Sequence, residues 1–124
     1  MELKHIALVS RTEEDADLFF EKLLGLTKEP PKILPEELSE ALFDICGDLM
    51  VIHYSGMGMR FEIFVTEEQK PEHKSVAHVC LETPDRSVFL DRCGEFGFKI
   101  LRFPKGGKVI TFVKDKTGNL YEIK

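Results

Sequence analysis

The chain has 124 residues, 43% of them apolar, which suffices for one compact core within the usual size of a single domain. Its formal net charge is −5, with Lys and Arg scattered among acids, so a nucleic-acid groove or an anionic membrane surface is disfavoured as a partner. No charged then apolar leader opens the sequence, and no apolar run approaches the roughly 20 residues that span a bilayer, so a soluble, unexported protein is expected.

Cys46, Cys80 and Cys93 are odd in number and show no CxxC spacing. They offer neither a disulfide framework nor a thiol metal motif, and a reducing cytoplasm is the expected location.

Residues 2–10 are short, apolar and bounded by the charged cluster Arg11-Thr12-Glu13-Glu14-Asp15, which reads as a strand ending at a helix start. Thr12 is the expected N-cap, with Asp15 at the third helical position as an acidic variant of the capping box. Ala16, Phe19, Phe20, Leu23 and Leu24 then recur at three- and four-residue spacing as one apolar stripe, and Gly25 stands where a C-cap belongs. Residues 28–37 carry Pro30, Pro31 and Pro35 among charges and read as an irregular loop. Strands are expected at about 41–46, 48–54 and 60–65, and the polar residues 66–75, with Pro71, form a connector.

The order then restarts. Residues 76–83 read as a strand, Asp85 to Phe96 as a helix with Val88, Phe89, Arg92, Cys93 and Phe96 on one side and Gly97 closing it, and strands are expected at about 98–103, 107–114 and 119–123. Both halves thus read β-α-β-β-β: an α+β fold of two βαβββ repeats in a single domain, 1–124, with repeat one about 1–68 and repeat two about 75–124. Lys4-His5-Ile6-Ala7-Leu8 echoes Ala77-His78-Val79-Cys80-Leu81, and Phe61-Glu62-Ile63 echoes Tyr121-Glu122-Ile123. The first unit is the longer between its His and its Glu, and the proline-rich stretch after Gly25 can hold the excess.

A duplicated unit with one His on its first strand and one Glu on its last offers two imidazoles and two carboxylates. If the units pair pseudo-symmetrically, His5, Glu62, His78 and Glu122 can hold a divalent metal in six-coordinate geometry with positions left for water or substrate. Each Glu is flanked by apolar neighbours, where an isolated buried carboxylate would cost several kcal/mol, so either a partner compensates it or the residue faces water. Strand alternation permits both.

His5-Ile6-Ala7-Leu8-Val9 followed by Phe19-Phe20-Glu21-Lys22-Leu23-Leu24-Gly25-Leu26 resembles the first repeat of the vicinal oxygen chelate superfamily, the glyoxalase, bleomycin-resistance and dioxygenase group. His78-Val79-Cys80-Leu81 resembles the start of its second repeat, and residues 106–123, with Asp115-Lys116-Thr117-Gly118-Asn119 and the late Glu122, resemble its closing hairpin. The resemblance spans nearly the whole chain and implies a glyoxalase-like open barrel cup. It implies His5, Glu62, His78 and Glu122 as metal ligands, a set similar to that of glyoxalase I, for a divalent ion such as Zn, Ni, Co, Mn or Fe. It further implies a metal-dependent lyase or isomerase acting on a small-molecule substrate with vicinal oxygens. The metal would chelate the two oxygens and stabilise the enediolate, while Glu122 or Glu62 moves the proton. A homodimer is implied as well, with the repeats paired within one chain or by exchange. Glutathione-using glyoxalase I enzymes generally carry an Arg on the first strand where Val9 stands here, with Arg11 nearby, so standard glutathione hemithioacetal chemistry is not expected.

Two alternatives from other classes remain. One is a metal-free protein of the bleomycin-resistance kind that sequesters a ligand, and the other is an extradiol-type dioxygenase using Fe(II) and one ligand fewer. Cys80, two positions after His78, is expected as a small filler or a neighbour of the metal, and His53 and His73 as ordinary surface residues. Gly106-Gly107 lacks the following helix that a phosphate cradle needs, and Arg60, Arg102 and Lys105 read as solvated surface.

Overall fold

In the computed structural model the described residues are 2–68 and 77–124, so His73, Pro71 and most of the expected connector lie outside them. The chain divides into two compact units, Met1–Pro71 and Glu72–Lys124. No helix among the described residues is long and apolar enough to cross a membrane.

The first unit opens with strand β1 (Ile6–Ser10) and helix α1, which winds as an α-helix over Glu13–Ala16 and continues with wider π turns over Asp17–Leu23. Thr12 caps it as expected, its hydroxyl accepting from the Asp15 amide at 3.1 Å. Ala16, Phe19, Phe20 and Leu23 are buried, while Leu24 is only half-buried because the wider turns rotate it off the stripe. Gly25 in the first unit and Gly97 in the second take φ +72° and +75° just past their helices, a conformation that costs a side-chained residue energy.

The proline-rich stretch is more ordered than a loop. It holds strands β2 (Thr27–Lys28) and β3 (Lys32–Leu34), both antiparallel to β4 (Leu49–Gly56), and helix α2 (Glu36–Phe43). A strand at 41–46 is therefore not formed. The helix start is fixed from a distance: Asp48 Oδ1 accepts from the Glu36 amide at 3.0 Å, and Glu36 Oε1 accepts from the Gly47 amide at 3.1 Å. This reciprocal cap joins residues 12 apart in sequence, beyond the reach of a local reading.

Strand β5 (Met59–Val65) completes the first sheet in the order β1-β5-β4-β2, with β3 also on β4. Strand β1 runs parallel to β5, and β4 antiparallel to it. Ile52, Tyr54, Phe61 and Ile63 are buried on the helix side, where the Phe20 ring stacks on Tyr54 at 5.3 Å and meets Phe61 at 5.2 Å. Alternation then sends His53 and Glu62 to the opposite face.

The second unit repeats the plan with β6 (Val79–Leu81), α3 (Arg86–Glu95), β7 (Lys99–Lys105), β8 (Lys108–Lys114) and β9 (Leu120–Ile123), in the open order β6-β9-β8-β7. Asp85 caps α3 by accepting from the Val88 amide at 3.0 Å. The helix buries Leu90 and Cys93, with Phe98 just beyond it, toward Val113, Tyr121 and Ile123. Val88 and Arg92, expected on the inner side, are exposed, because the face that meets the sheet is centred one step further along the helix.

Each unit anchors one fully buried tyrosine on an aspartate. The Tyr54 hydroxyl donates to Asp17 Oδ1 at 2.6 Å, and the Tyr121 hydroxyl donates to Asp115 Oδ2 at 3.1 Å. Burial, followed by the neighbouring carboxylate, pushes both phenols well above their ordinary value. A raised folded value means that this contribution to stability is fully present below pH ~10, the unfolded phenol's value, and is lost as the pH climbs above it. These are the only two tyrosines, and the chain has no tryptophan. Absorbance at 295 nm during an alkaline titration should therefore show no tyrosinate near pH ~10, and both phenolates should appear together with loss of the fold. A tyrosine titrating at its ordinary value in folded protein would contradict these bonds.

Candidate metal and acid–base site

The register places each candidate residue. In the parallel pairing of β1 with β5, Ala7 stands beside Glu62; in that of β6 with β9, Cys80 stands beside Glu122. Each histidine sits two residues before that partner, and its ring reaches across to the glutamate. His5 Nε2 lies 3.2 Å from Glu62 Oε2, and His78 Nε2 lies 3.3 Å from Glu122 Oε2. The two histidines immediately precede their strands, one residue short of the expected placement on them.

The environments of the two pairs also match. The imidazoles are 42% and 41% exposed, and the carboxylates 21% and 19%. The rings can therefore receive a ligand from solvent, while the carboxylates are held by their strands. Two donors that share one divalent cation at roughly 2.0–2.2 Å, with angles between octahedral and tetrahedral values, stand roughly 2.9–3.5 Å apart. Both His–Glu spacings fall in that range, and an imidazole with a carboxylate is a donor combination that such ions accept. The same spacing also suits a direct hydrogen bond. Among the described residues no group of three or more His, Cys, Asp or Glu is gathered so as to hold a metal ion by itself.

His53 is not an ordinary surface residue. It pairs with Glu62 across the β4–β5 hairpin, its side chain is only 12% exposed, and its Nε2 lies 3.2 Å from Glu62 Oε1. Its buried Nδ1 has no hydrogen-bond partner among the described residues. Both oxygens of Glu62 are thus engaged, one by each histidine, and the two rings meet edge to face at 6.5 Å. Comparing repeats could not reveal this, because the matching position opposite Glu122 is Phe112, whose ring packs against His78 at 5.5 Å. The signal lies in the hairpin, where the Gly56 to Met59 turn sets His53 opposite Glu62.

Cys80 is exposed, so it is no core filler, although its register beside Glu122 keeps it close to that residue along the sheet. Arg60 is exposed and pairs with Glu29 at 3.3 Å, and Arg102 and Lys105 are exposed. Asp115 to Asn119 form the expected turn, and Gly106-Gly107 lead into β8 without any helix.

No family model matches the sequence, and no curated protein matches it. Similarity to solved structures is extensive. A glyoxalase family protein from Enterococcus faecalis superposes with TM-score 0.73 at 18% identity, over 98% of this chain and 95% of that one. The chain has the fold of this glyoxalase family protein. A fosfomycin resistance protein, FosX, from Mesorhizobium loti shares this fold with TM-score 0.68 at 13% identity, over 98% and 89% of the two chains. Its counterpart from Listeria monocytogenes, solved with Mn(II) and 1S,2S-dihydroxypropylphosphonic acid, gives 0.71 at 12% identity, over 98% and 87%. Within each unit of this fold the His–Glu pair falls at the equivalent register position.

Proposed function

We propose that the protein is a metal-dependent lyase or isomerase of the glyoxalase type, which moves a proton on a small substrate carrying two adjacent oxygens. The supporting observation is the repeated His–Glu contact, 3.2 Å in one unit and 3.3 Å in the other, on equivalent register positions. His5, Glu62, His78 and Glu122 would hold one divalent cation, with the two repeats acting as a single cytoplasmic domain or exchanging partners in a homodimer. The manganese-bound resistance protein of the same fold supports a divalent ion. Such an ion, when bound, supplies Lewis-acid polarisation of the substrate oxygens and so acidifies the intervening C–H bond.

The residues of the chain then divide the work. Both oxygens of Glu62 are engaged by His5 and His53, which fixes that carboxylate in place. Glu122 offers Oε2 to His78, while Oε1 has Lys124 Nζ at 3.7 Å, too far for a direct hydrogen bond. Glu122 is therefore the better placed of the two to take up and return the substrate proton. Val9 and the apolar residues around it offer no cation for a glutathione carboxylate, which favours a different substrate.

Chelator-free protein should carry about one divalent ion per chain by elemental analysis, and His5→Ala and His78→Ala should each release it, because a lost ligand lowers affinity by far more than the roughly 10–100-fold typical of outer-shell partners. Wild-type protein that takes up no divalent ion ends this reading. The apolar pocket in the first unit would then favour metal-free sequestration of a ligand.

A further inference from the structure

An apolar pocket of about 160 Å³ lies in the first unit, with Ala7, Val9, Phe43, Ile45, Phe64 and Thr66 in its lining. Its position follows from register. Val9 stands beside Phe64 as Ala7 stands beside Glu62, so Ala7, Val9 and Phe64 occupy the sheet face that carries Glu62 and His53. Phe64 is two residues beyond Glu62 on the same strand, a step of about 7 Å. The end of α2 forms the wall, where the Phe43 ring meets Phe64 edge to face at 5.0 Å and Ile45 follows. Thr66 is the polar member of the lining, and its hydroxyl accepts from the Glu68 amide at 3.1 Å.

We propose that this pocket takes an apolar substrate arm the size of a six-membered ring, attached directly to the pair of oxygens handled at Glu62. This inference rests on the function proposed above and adds the substrate class: an aryl or cycloalkyl compound with vicinal oxygens. The volume is right, since a dry apolar cavity of about 150 Å³ accommodates benzene. The placement is right too, since Ala7 lines the pocket and stands beside Glu62 in the sheet, so a ring bonded to a chelating carbon need extend only to that neighbour. Apart from the Thr66 hydroxyl the lining offers hydrophobic contact, so it selects for apolar bulk and against a charged thiol conjugate.

Benzohydroxamate and acetohydroxamate test this, because both bind a metal through two adjacent oxygens and differ in phenyl against methyl. Calorimetric titration of the metal-loaded protein should show benzohydroxamate binding at least tenfold more tightly, from the added apolar area buried. Val9→Phe, which fills the pocket, should bring the ratio close to one with acetohydroxamate affinity unchanged, and Phe43→Ala, which removes the wall without adding bulk, should also lower it. Equal affinities in wild type, or a ratio unmoved by both variants, overturns the proposal. If neither hydroxamate binds because the protein holds no metal, the functional reading has failed. Toluene added to metal-free protein then judges the pocket alone: shifts of the Ala7 and Val9 methyl resonances retain it as an apolar site, and unshifted methyls remove it.

Discussion

Alanine at Asp115 is expected to lower the stability of the protein by about 3 kcal/mol, seen as a fall of roughly 10 °C in the thermal midpoint. This carboxylate is almost buried at 9% exposure and organises the turn between β8 and β9. Its Oδ1 accepts from the amides of Thr117, Gly118 and Asn119 at 3.0, 2.8 and 2.9 Å, and its Oδ2 accepts from Asn119 Nδ2 at 2.8 Å and from the Tyr121 hydroxyl at 3.1 Å. The turn amides can find water once the carboxylate is gone. The phenol of Tyr121 is fully buried and cannot, so its orphaned hydroxyl carries much of the loss. Tyr121→Phe in the Asp115→Ala background should then recover part of the stability, because removing both partners leaves no unsatisfied donor. Failure of the double variant to recover any would show that the turn amides, not the phenol, carry the cost. Because Glu122 follows Tyr121 directly, the single variant should also loosen the candidate site in the second unit.

Glutamine at Glu122 should abolish most proton transfer while leaving the fold intact, a loss of about 10²- to 10⁴-fold, the usual worth of a positioned general base. The measurement is exchange of the carbon-bound protons of hydroxyacetone, a small α-hydroxyketone, into D2O by metal-loaded protein. Glu62→Gln should cost at least ten times less, since that carboxylate is held by His5 and His53 and serves to bind. Metal content measured on the same samples separates a lost base from a lost ion. Equal losses in the two variants, with equal metal, would assign the proton to either carboxylate and remove the asymmetry drawn from the geometry.

Much of the fold was legible in the residues because its determinants are local. The apolar stripe of Ala16, Phe19, Phe20 and Leu23, the Thr12 cap and the two glycines closing α1 and α3 act within a few residues of chain, and the structure shows all of them. Helix α2 was not legible. Pro30, Pro31 and Pro35 read as irregular chain, and the residues that cap α2, Gly47 and Asp48, lie past its far end. The buried face of α3 was misplaced by one step because Val88 and Leu90 are equally apolar in sequence and only the sheet decides which of them it covers.

The sequence by itself determined the duplication and, with it, the recurrence of one His and one Glu at matching places in each unit. An internal repeat preserves spacing, and spacing along strands preserves which side chains share a face. Only the tertiary structure decided what surrounds those residues: His53 on the second oxygen of Glu62, Phe112 in the matching place beside Glu122, and an apolar pocket one strand step from Glu62. These depend on cross-strand register and on where α2 comes to rest, which are set by a hairpin turn and a long-range cap whose partners sit far from the residues they position.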